Sequence, residues 1–365
     1  MSLLSVTDLS VTFNRRGRRP VKAVDGVTFS VDAGATVGLV GESGCGKSVT
    51  SLAIMGLLPK RGVEVGGSVV FEERQLLTMD NNDLRSLRGR DLAMVFQDPQ
   101  TSLNPVLTVG RQVTEVLQRH RGLDSREADR EAADLLDKVG IPDPNRRLKD
   151  YPHQMSGGMR QRALIAIALA CKPRLLIADE PTTALDVTIQ AQILELLKEL
   201  VTGSGTALVM ITHDLGVVAG LCDTVHVMYS GRIVESSDRR SLFVEPRHPY
   251  TTGLLASVPR LDAPRGVPLR PIPGSPRDVL PWAQGCAFAP RCTRRVEECT
   301  TTPPALEPDP VTGHPLRCYN PWPPGGEPLD PGLAPPSLKT RTVSGVRKAA
   351  GSAAPGTRRT RKNPT

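Results

Sequence analysis

The stretch "GESGCGKS", from Gly41 to Ser48, matches the pattern G-x-x-x-x-G-K-[ST] and predicts a phosphate-binding loop. It follows the apolar run "TVGLV" and precedes "VTSLAIMGLL", so a buried strand is expected to enter the loop and a helix to leave it. Glycines let backbone N–H groups converge on phosphate oxygens, and the helix N-terminus adds favourable partial charge. We expect Lys47 to reach the β- and γ-phosphates of a nucleotide and the Ser48 hydroxyl to bind Mg²⁺.

The alternative for this loop is a glycine-rich turn between strand and helix that holds no ligand. The strand and helix on either side of it favour nucleotide binding. Cys45 lies within the loop, where a small filler is a better interpretation than a nucleophile. The residues predicted to hold the nucleotide here are Gly41, Ser43, Gly44, Cys45, Gly46, Lys47, Ser48 and Val49.

A pair of carboxylates ends a second apolar run, "LLIADEP", at Asp179 and Glu180. A carboxylate at the carboxyl end of a buried strand lies where α/β sheets bind ligands. We expect Asp179 to hold Mg²⁺ directly or through water, and Glu180 to orient the attacking water or accept its proton. The alternative for this motif alone is a solvated acidic turn before Pro181.

A third apolar run, "ALVMITHD", ends at His213. A lone histidine at such a position is more often structural. Because it follows a strand level with the other two motifs, we favour contact with the γ-phosphate and the attacking water, and we group His213 with Glu180 as catalytic.

The remaining pattern predicts an α/β fold. The 365 residues are 39% hydrophobic but only 3% aromatic, so the core is expected to consist mainly of aliphatic side chains. Residues 1–40 alternate as antiparallel strands do, and "HVMYSGRIVES" predicts a hairpin that turns at Ser230 and Gly231. Elsewhere apolar strands alternate with helical segments, which favours a mainly parallel sheet. The polar segment of about residues 98–160 is predicted to be a helical subdomain.

The net charge of +8 does not indicate a nucleic-acid surface. Eight basic residues and no acidic residue follow Asp330, so residues 1–330 carry a formal charge of about zero. No apolar run approaches the roughly 18 residues that a membrane-spanning helix needs. The first residues also lack the pattern of a signal peptide. We therefore expect a cytosolic protein without nucleic-acid partners, which reaches a membrane only through another protein.

The motif "MSGGMRQR", residues 155–162, places a Ser-Gly-Gly run at the start of a helix, between the phosphate loop and "LLIADEP". In this order and spacing, residues 1–250 resemble the ABC ATPase family. The resemblance implies a P-loop core with a parallel sheet, an antiparallel β subdomain and a helical subdomain, together forming a nucleotide-binding domain over residues 1–255.

The resemblance also assigns roles to matching positions. Gln97 in "VFQDP" corresponds to the residue that touches Mg²⁺, acts in catalysis and senses the transmembrane partner. Asp186 in "TTALD" corresponds to the D-loop aspartate, and Phe13 to the aromatic that stacks on adenine. The signature residues, which contact ATP held by the opposite subunit, are Ser156, Gly157 and Gly158, with Met159 where glutamine is usual.

Three further segments, "DPQTSLNPVLTVG", "YPHQMSGGMRQR" and "HPYTTGLLASVP", resemble the ATPase subunits of oligopeptide and dipeptide importers. This implies an ATPase that powers import of peptides or a related small solute. It would work at the cytoplasmic face of the cell membrane with two permease subunits, a second and similar ATPase chain, and indirectly an extracytoplasmic substrate-binding protein.

Two other functions fit the sequence less well. A soluble ABC ATPase acting on DNA or ribosomes tends to carry a long coiled-coil insertion or two cassettes in one chain, and neither is visible. A non-catalytic cassette often lacks the catalytic glutamate or histidine, but Glu180 and His213 are both present.

Four cysteines distinguish a Pro-rich extension predicted over residues 256–325. They are spaced C-x5-C-x6-C-x18-C, and in a reducing cytosol disulfides between them are not expected. Four thiolates suit either tetrahedral zinc or an iron–sulfur cluster. The tight C-x2-4-C spacing of zinc sites is absent, which favours a cluster, whereas His314 is a substitute ligand that keeps zinc open. The four positions are Cys286, Cys292, Cys299 and Cys318.

The extension also resembles the C-terminal extension of the peptide-importer ATPases, which implies a [4Fe–4S] cluster. Zinc and unliganded cysteines remain the alternatives. Cys45, Cys171 and Cys222 are expected to be small buried fillers. Residues 326–365, rich in Pro, Gly, Ser, Ala, Arg and Lys, are predicted to form a basic disordered tail.

Overall fold

The computed structural model describes residues 2–14, 17, 19–183, 185–258, 271–275 and 284–323. The described strands are β1 (Ser2–Phe13), β2 (Val21–Asp32), β3 (Thr36–Val40), β4 (Val63–Phe71), β5 (Arg74–Gln75), β6 (Leu92–Val95), β7 (Leu175–Asp179), β8 (Ala207–Thr212), β9 (Thr224–Tyr229), β10 (Arg232–Asp238), β11 (Glu307–Pro308) and β12 (Pro315–Leu316). The described α-helices are α1 (Lys47–Ile54), α2 (Asn81–Leu87), α3 (Pro99–Ser102), α4 (Val109–Arg121), α5 (Ser125–Lys138), α6 (Pro144–Arg147), α7 (Gly157–Leu169), α8 (Val187–Ser204), α9 (Leu215–Leu221), α10 (Arg239–Val244), α11 (Pro249–Ala256) and α12 (Glu298–Thr301).

The larger sheet has a parallel centre. Its strand order is β11-β12-β10-β9-β3-β8-β7-β6, and β9, β3, β8, β7 and β6 run parallel to one another. β10 then pairs antiparallel with β9 through a turn at Ser230 and Gly231, which confirms the predicted hairpin. Because β3 lies in the middle of this sheet, the phosphate loop that follows it lies centrally along the sheet's carboxyl edge.

A second, smaller sheet is antiparallel, with the order β2-β1-β4-β5. β1 pairs antiparallel with both β2 and β4 along most of its length. The mainly parallel sheet and the antiparallel β unit that the sequence predicts are therefore both present.

The central strands are buried on both faces, which is typical of parallel sheets. In β7, Leu176 and Ala178 face a core cluster that contains the helices α4, α5, α7 and α8. Leu175 and Ile177 face the opposite cluster, which contains residues of β1, β2, β4 and α1. Alternate residues of one strand thus belong to different cores, so the layer order is helices, parallel sheet, antiparallel sheet.

Helices α3 to α6 occupy the polar segment between the phosphate loop and α7, and the bounds of a helical subdomain stay a prediction. Charged residues lie on their outer faces, while apolar residues such as Val113, Leu117 and Leu136 are fully buried. α5 begins with a capping box, in which Asp124 accepts from the Glu127 N–H at 2.9 Å and Glu127 accepts from the Asp124 N–H at 3.1 Å. The capping box and the buried apolar face therefore both stabilise helices in this segment.

The described part of the extension packs on the main core. Leu316 of β12 pairs with Glu235 of β10, and β11 pairs with β12, so the extension adds two short strands to the larger sheet. Phe288 is buried in the core cluster that contains α4, α5, α7 and α8, and Cys286 and Cys292 pack against that cluster. The predicted boundary near residue 256 stays a prediction, as does the tail of residues 326–365, which lies outside the described residues.

The three isolated cysteines differ in their surroundings. Cys45 and Cys222 are buried as expected, but Cys171 at the end of α7 is only half-buried. The prediction of a buried filler is therefore wrong for Cys171, because the residue follows the last turn of α7 instead of facing the core. No helix in the described ranges is long and apolar enough to cross a membrane.

The burial pattern of the helical segment gives a stability prediction. Val113 is fully buried in α4, whereas Val106 in the preceding loop is 75% exposed. Replacing Val113 with alanine removes two buried methyl groups and leaves a cavity, so we expect Val113→Ala to lower the free energy of unfolding by about 2 kcal/mol. Urea denaturation of the full chain, followed by circular dichroism, measures this.

Val106→Ala is the matched control and is expected to leave the denaturation midpoint unchanged. Equal midpoints for the two variants would contradict the burial of this helix face.

Candidate active site

The phosphate loop lies tightly against β2 and β9. A Cβ atom at Gly41 would lie 2.2 Å from the Met228 carbonyl oxygen, and one at Gly46 would lie 2.4 Å from the Ala23 carbonyl oxygen. Both glycines also have positive φ, of 154° and 107°, so no other residue fits these positions without moving the backbone. α1 begins at Lys47 directly after the loop, which directs the helix N-terminus at the loop.

Lys47 is buried within the loop that it ends. Its Nζ donates to the Gly41 carbonyl at 2.7 Å and to the Glu42 carbonyl at 3.1 Å. Ser43 and Gly44 at the tip of the loop are exposed, whereas Cys45 is buried and burial raises the pKa of its thiol. Cys45 is therefore a packed neutral thiol, and the exposed backbone of the tip is what a phosphate group can reach.

Ser48 and Asp179 join the phosphate loop to β7. The Ser48 hydroxyl donates to Asp179 Oδ1 at 3.0 Å, across 131 positions of sequence. Burial raises the pKa of Asp179, and the Ser48 hydrogen bond opposes that shift. A hydroxyl and a carboxylate at a buried edge are hard oxygen ligands of the kind that Mg²⁺ prefers, and Mg²⁺ usually takes few protein ligands beside water and phosphate. The residues present fit a magnesium ion.

Glu180 is the centre of a second group. Gln97, two residues after β6, donates from Nε2 to Glu180 Oε2 at 2.8 Å. Thr183 donates to the same oxygen at 2.9 Å, and His213 Nδ1 lies 3.2 Å from Glu180 Oε1. The side chain of Glu180 is only 10% exposed, whereas that of His213 is 54% exposed. The carboxylate is thus fixed from three sides and the histidine lies at the solvent side.

The backbone at Glu180 is strained. Its φ is 46°, in the left-handed region that glutamate rarely adopts, and its N–H donates to the Ile211 carbonyl at 2.8 Å. Such a conformation costs on the order of 1–3 kcal/mol and persists only where the surrounding structure fixes it. It turns the chain sharply after β7 and directs the side chain toward Gln97 and His213.

The signature residues lie at the start of α7. Ser156 caps this helix, with its Oγ accepting from the Met159 N–H at 3.3 Å. Gly158 packs against α8, where a Cβ would lie 2.9 Å from Ile189 Cγ2. Asp186 caps α8 by accepting from the Ile189 N–H at 3.0 Å. These contacts lie at the starts of α7 and α8 of one chain. The contact of these residues with a nucleotide on a second subunit stays a prediction.

Phe13, the predicted adenine-stacking residue, is half-buried at the end of β1. It packs against the cluster on the antiparallel side of the sheet. The loop after it includes residues 15, 16 and 18, which lie outside the described residues. Its contact with a base stays a prediction.

Two contributors to the site were missed from the sequence. Thr183 binds Glu180, and its place three residues after that carboxylate is a weak signal that could have indicated it. Arg291 donates to Glu42 of the phosphate loop, from a position 249 residues away that no sequence pattern connects to it.

The four cysteines of the extension influence one another. Burial raises the pKa of Cys286 and Cys292 and raises that of Cys318 to about 12, and in each case neighbouring cysteines add to the shift. The Cys286 N–H also donates to the Cys299 carbonyl at 2.8 Å. None of the four forms a disulfide, and the described ranges contain no group of three or more His, Cys, Asp or Glu side chains close enough to hold one metal ion.

His314 is engaged elsewhere. Its Nδ1 lies 2.8 Å from the Ser237 hydroxyl, and its Nε2 lies 3.6 Å from Asp238. Both partners belong to the end of β10, so in this arrangement the substitute ligand considered for zinc is directed at the sheet.

Comparison with known proteins identifies the family. The ABC transporter model matches residues 24–183, and the model for the C-terminal region of oligopeptide/dipeptide transporters matches residues 234–299. The chain is 51% identical over 320 residues to the oligopeptide transport ATP-binding protein OppD of Escherichia coli (strain K12), covering 88% of this chain and 94% of that one. It is 53% identical over 298 residues to the dipeptide transport ATP-binding protein DppD of Bacillus subtilis (strain 168), covering 81% and 88%.

Solved structures agree with this. The dimeric ATP-binding cassette MJ0796, in a post-hydrolysis state bound to ADP and Pi, is 28% identical with a TM-score of 0.58, over 65% of this chain and 99% of that one. CbiO1 from Clostridium perfringens, part of the ABC transporter complex cbiONQ, is 28% identical with a TM-score of 0.55, over 67% and 91%. The resemblance inferred from the motifs is confirmed, and the chain belongs to the ATP-binding subunits of the oligopeptide and dipeptide ABC transporter family.

Proposed function

We propose that this chain hydrolyses MgATP at the carboxyl edge of its parallel sheet and so powers import of peptides, or of a related small solute, through a membrane permease complex. The observation that carries the proposal is the convergence of Gln97, Thr183 and His213 on Glu180, next to the Ser48–Asp179 pair. The names of the relatives, which are oligopeptide and dipeptide transport proteins, support the substrate class.

The phosphate loop would bind the triphosphate of ATP. Its exposed tip offers backbone N–H groups, and Lys47 supplies a cation whose present partners are two carbonyl oxygens of the loop itself. Ser48 and Asp179 would hold the metal, with Gln97 contributing its Oε1, because its Nε2 is already used by Glu180. Bound Mg²⁺ supplies neutralisation of the phosphate charge.

Glu180 would act as the base that orients water and accepts its proton. A carboxylate held by two donors keeps a defined direction, which is what general-base catalysis requires. His213 lies against the other oxygen and is half-exposed, so it can contact both water and the terminal phosphate group. Thr183 is a positioning residue for Glu180.

A second cassette would complete the site. Ser156, Gly157, Gly158 and Asp186 contact α7 and α8 of their own chain, and we propose that in a head-to-tail dimer they face the nucleotide of the partner. The description of MJ0796 as a dimeric cassette bound to ADP and Pi supports a dimer of cassettes. We further propose that the partner is a similar ATPase chain and that the pair works beneath two permease subunits at the cytoplasmic face of the membrane. A substrate-binding protein would deliver the solute from outside, and no nucleic acid takes part.

We propose that Cys286, Cys292, Cys299 and Cys318 hold a [4Fe–4S] cluster, with Zn²⁺ as the alternative. Neighbouring thiols that raise one another's pKa form a site whose charge a metal would stabilise. An iron–sulfur cluster is bound by four cysteine thiolates, and the sequence lacks the tight C-x2-4-C spacing that is typical of zinc sites. The role would be structural, since the segment is rich in proline and residues 284–323 contain only helices and strands of two to four residues.

Glu180→Gln tests the catalytic assignment. In the assembled transporter we expect steady-state ATP hydrolysis to fall about 10²-fold or more, with MgATP binding retained, because the amide cannot accept the proton from water. Lys47→Ala should instead weaken nucleotide binding itself. Glu199→Gln, at an exposed position near the end of α8, is the control and should hydrolyse ATP at the parent rate. Unchanged turnover in Glu180→Gln would exclude Glu180 as the base.

Crosslinking tests the permease contact. We expect the region from Gln97 through the helical segment to receive a cytoplasmic helix of the permease. Val106→Cys, which is strongly exposed there, should crosslink to cysteines placed in permease cytoplasmic loops. Glu199→Cys on α8 should not. Crosslinks formed only near the hairpin at Ser230 would contradict the placement.

Metal analysis tests the cysteine site. Anaerobic purification should give a brown protein with broad visible absorption and about four irons per chain. Cys292→Ser should lose both, while Cys171→Ser, which changes a half-buried cysteine elsewhere, should keep them. A colourless protein with one zinc would reject the cluster and leave a four-cysteine metal site. Four free thiols without metal would reject both.

A further inference from the structure

A buried arginine of the cysteine-bearing segment binds the phosphate loop. Arg291 Nη1 donates to Glu42 Oε2 at 2.6 Å, and Nη2 donates to Glu42 Oε1 at 3.0 Å. The Arg291 side chain is only 3% exposed, and that of Glu42 is 26% exposed. Paired guanidinium and carboxylate groups in this two-bond geometry form one of the strongest directional contacts in proteins.

Glu42 is central to the shape of the loop. Its carbonyl accepts from Lys47 Nζ at 3.1 Å and from the Cys45 N–H at 3.3 Å. Its own N–H donates to the Tyr250 hydroxyl at 2.9 Å. Every polar group of this residue is therefore used, and moving its side chain would move the carbonyl on which Lys47 rests.

Arg291 is itself held firmly. Nε donates to the Pro273 carbonyl at 2.8 Å, and the guanidinium lies 5.8 Å from the ring centroid of Tyr229 and 6.0 Å from that of Phe288. Tyr229, Tyr250 and Phe288 also pack edge-on or tilted against one another, with centroids 4.6 to 5.4 Å apart. These rings come from β9, α11 and the extension, so three parts of the chain fix the arginine beside the loop.

The charge of Glu42 makes this contact relevant to nucleotide binding. A carboxylate one residue after Gly41 lies within the loop that receives an anionic triphosphate. Without a cation beside it, the carboxylate would repel the phosphates, and at partly buried sites this repulsion is only weakly screened. The bidentate arginine removes that repulsion and at the same time fixes the loop backbone.

We propose that Arg291 is a positioning residue for nucleotide binding: it neutralises and orients Glu42, and so holds the phosphate loop in its binding shape. Arg291 directly precedes Cys292. The extension thus contributes to the nucleotide site of its own chain, in addition to whatever its thiols bind.

The test is the affinity of the full-length chain for MgADP, measured by isothermal titration calorimetry, together with the KM for ATP of the assembled transporter. We expect Arg291→Ala to raise the Kd for MgADP and the KM for ATP about tenfold, with kcat at saturating ATP reduced less than threefold. Arg291→Lys keeps the charge but loses the second hydrogen bond, so its Kd should lie between those of the parent and the alanine variant.

Two further variants separate this role from a merely structural one. In an E42Q background the carboxylate is absent, so adding Arg291→Ala should raise the Kd less than threefold. Arg294→Ala is the matched control, because Arg294 belongs to the same segment but contacts Asn320 and stacks on Trp322 at 4.5 Å. Its Kd should equal that of the parent. An unchanged Kd in Arg291→Ala, an equal loss in Arg294→Ala, or a full tenfold effect of Arg291→Ala in the E42Q background would each overturn the proposal.

Discussion

Parallel pairing of neighbouring strands is the constraint on which the site depends. β3, β8, β7 and β6 lie side by side and run in one direction, so their carboxyl ends meet at one edge. The residues that follow these strands are the phosphate loop, His213, the Asp179–Glu180 pair and Gln97. These residues therefore lie close together although they are far apart in sequence. The hydrogen bond between Ser48 and Asp179, for example, joins residues 131 positions apart.

The same pairing dictates what surrounds the sheet. Parallel strands with both faces apolar must be covered on both sides, and in this chain the covers differ. Helices lie on one face and an antiparallel sheet on the other, each with its own buried cluster. The extension then closes the far edge, where β12 pairs with β10, and brings Phe288 and Arg291 against the strand that adjoins the phosphate loop. The extension thus buries Phe288 in the core of the main domain.

Much of the site could be predicted because its functional residues belong to short, continuous sequence motifs. "GESGCGKS" and "LLIADEP" each combine a strand with the residues that follow it, so both the residue and its place at the sheet edge were predictable. Contacts between distant segments were not. The Arg291–Glu42 pair joins positions with no shared pattern, and the left-handed backbone at Glu180 has no signal in a glutamate followed by proline. Cys171 was misjudged because composition alone does not tell on which side of a helix end a residue lies.

Glu180 and the Ser48–Asp179 pair must serve the same bound nucleotide if the chain hydrolyses ATP as proposed. The most direct measurement is an electron cryomicroscopy structure of the assembled transporter with MgATP, trapped by Glu180→Gln. We predict Mg²⁺ at about 2.1 Å from Ser48 Oγ with Asp179 beside it, and residue 180 within hydrogen-bond distance, about 3 Å, of a water that faces the γ-phosphate. A metal held away from Ser48 and Asp179, or a residue 180 side chain directed away from the γ-phosphate, would contradict this prediction.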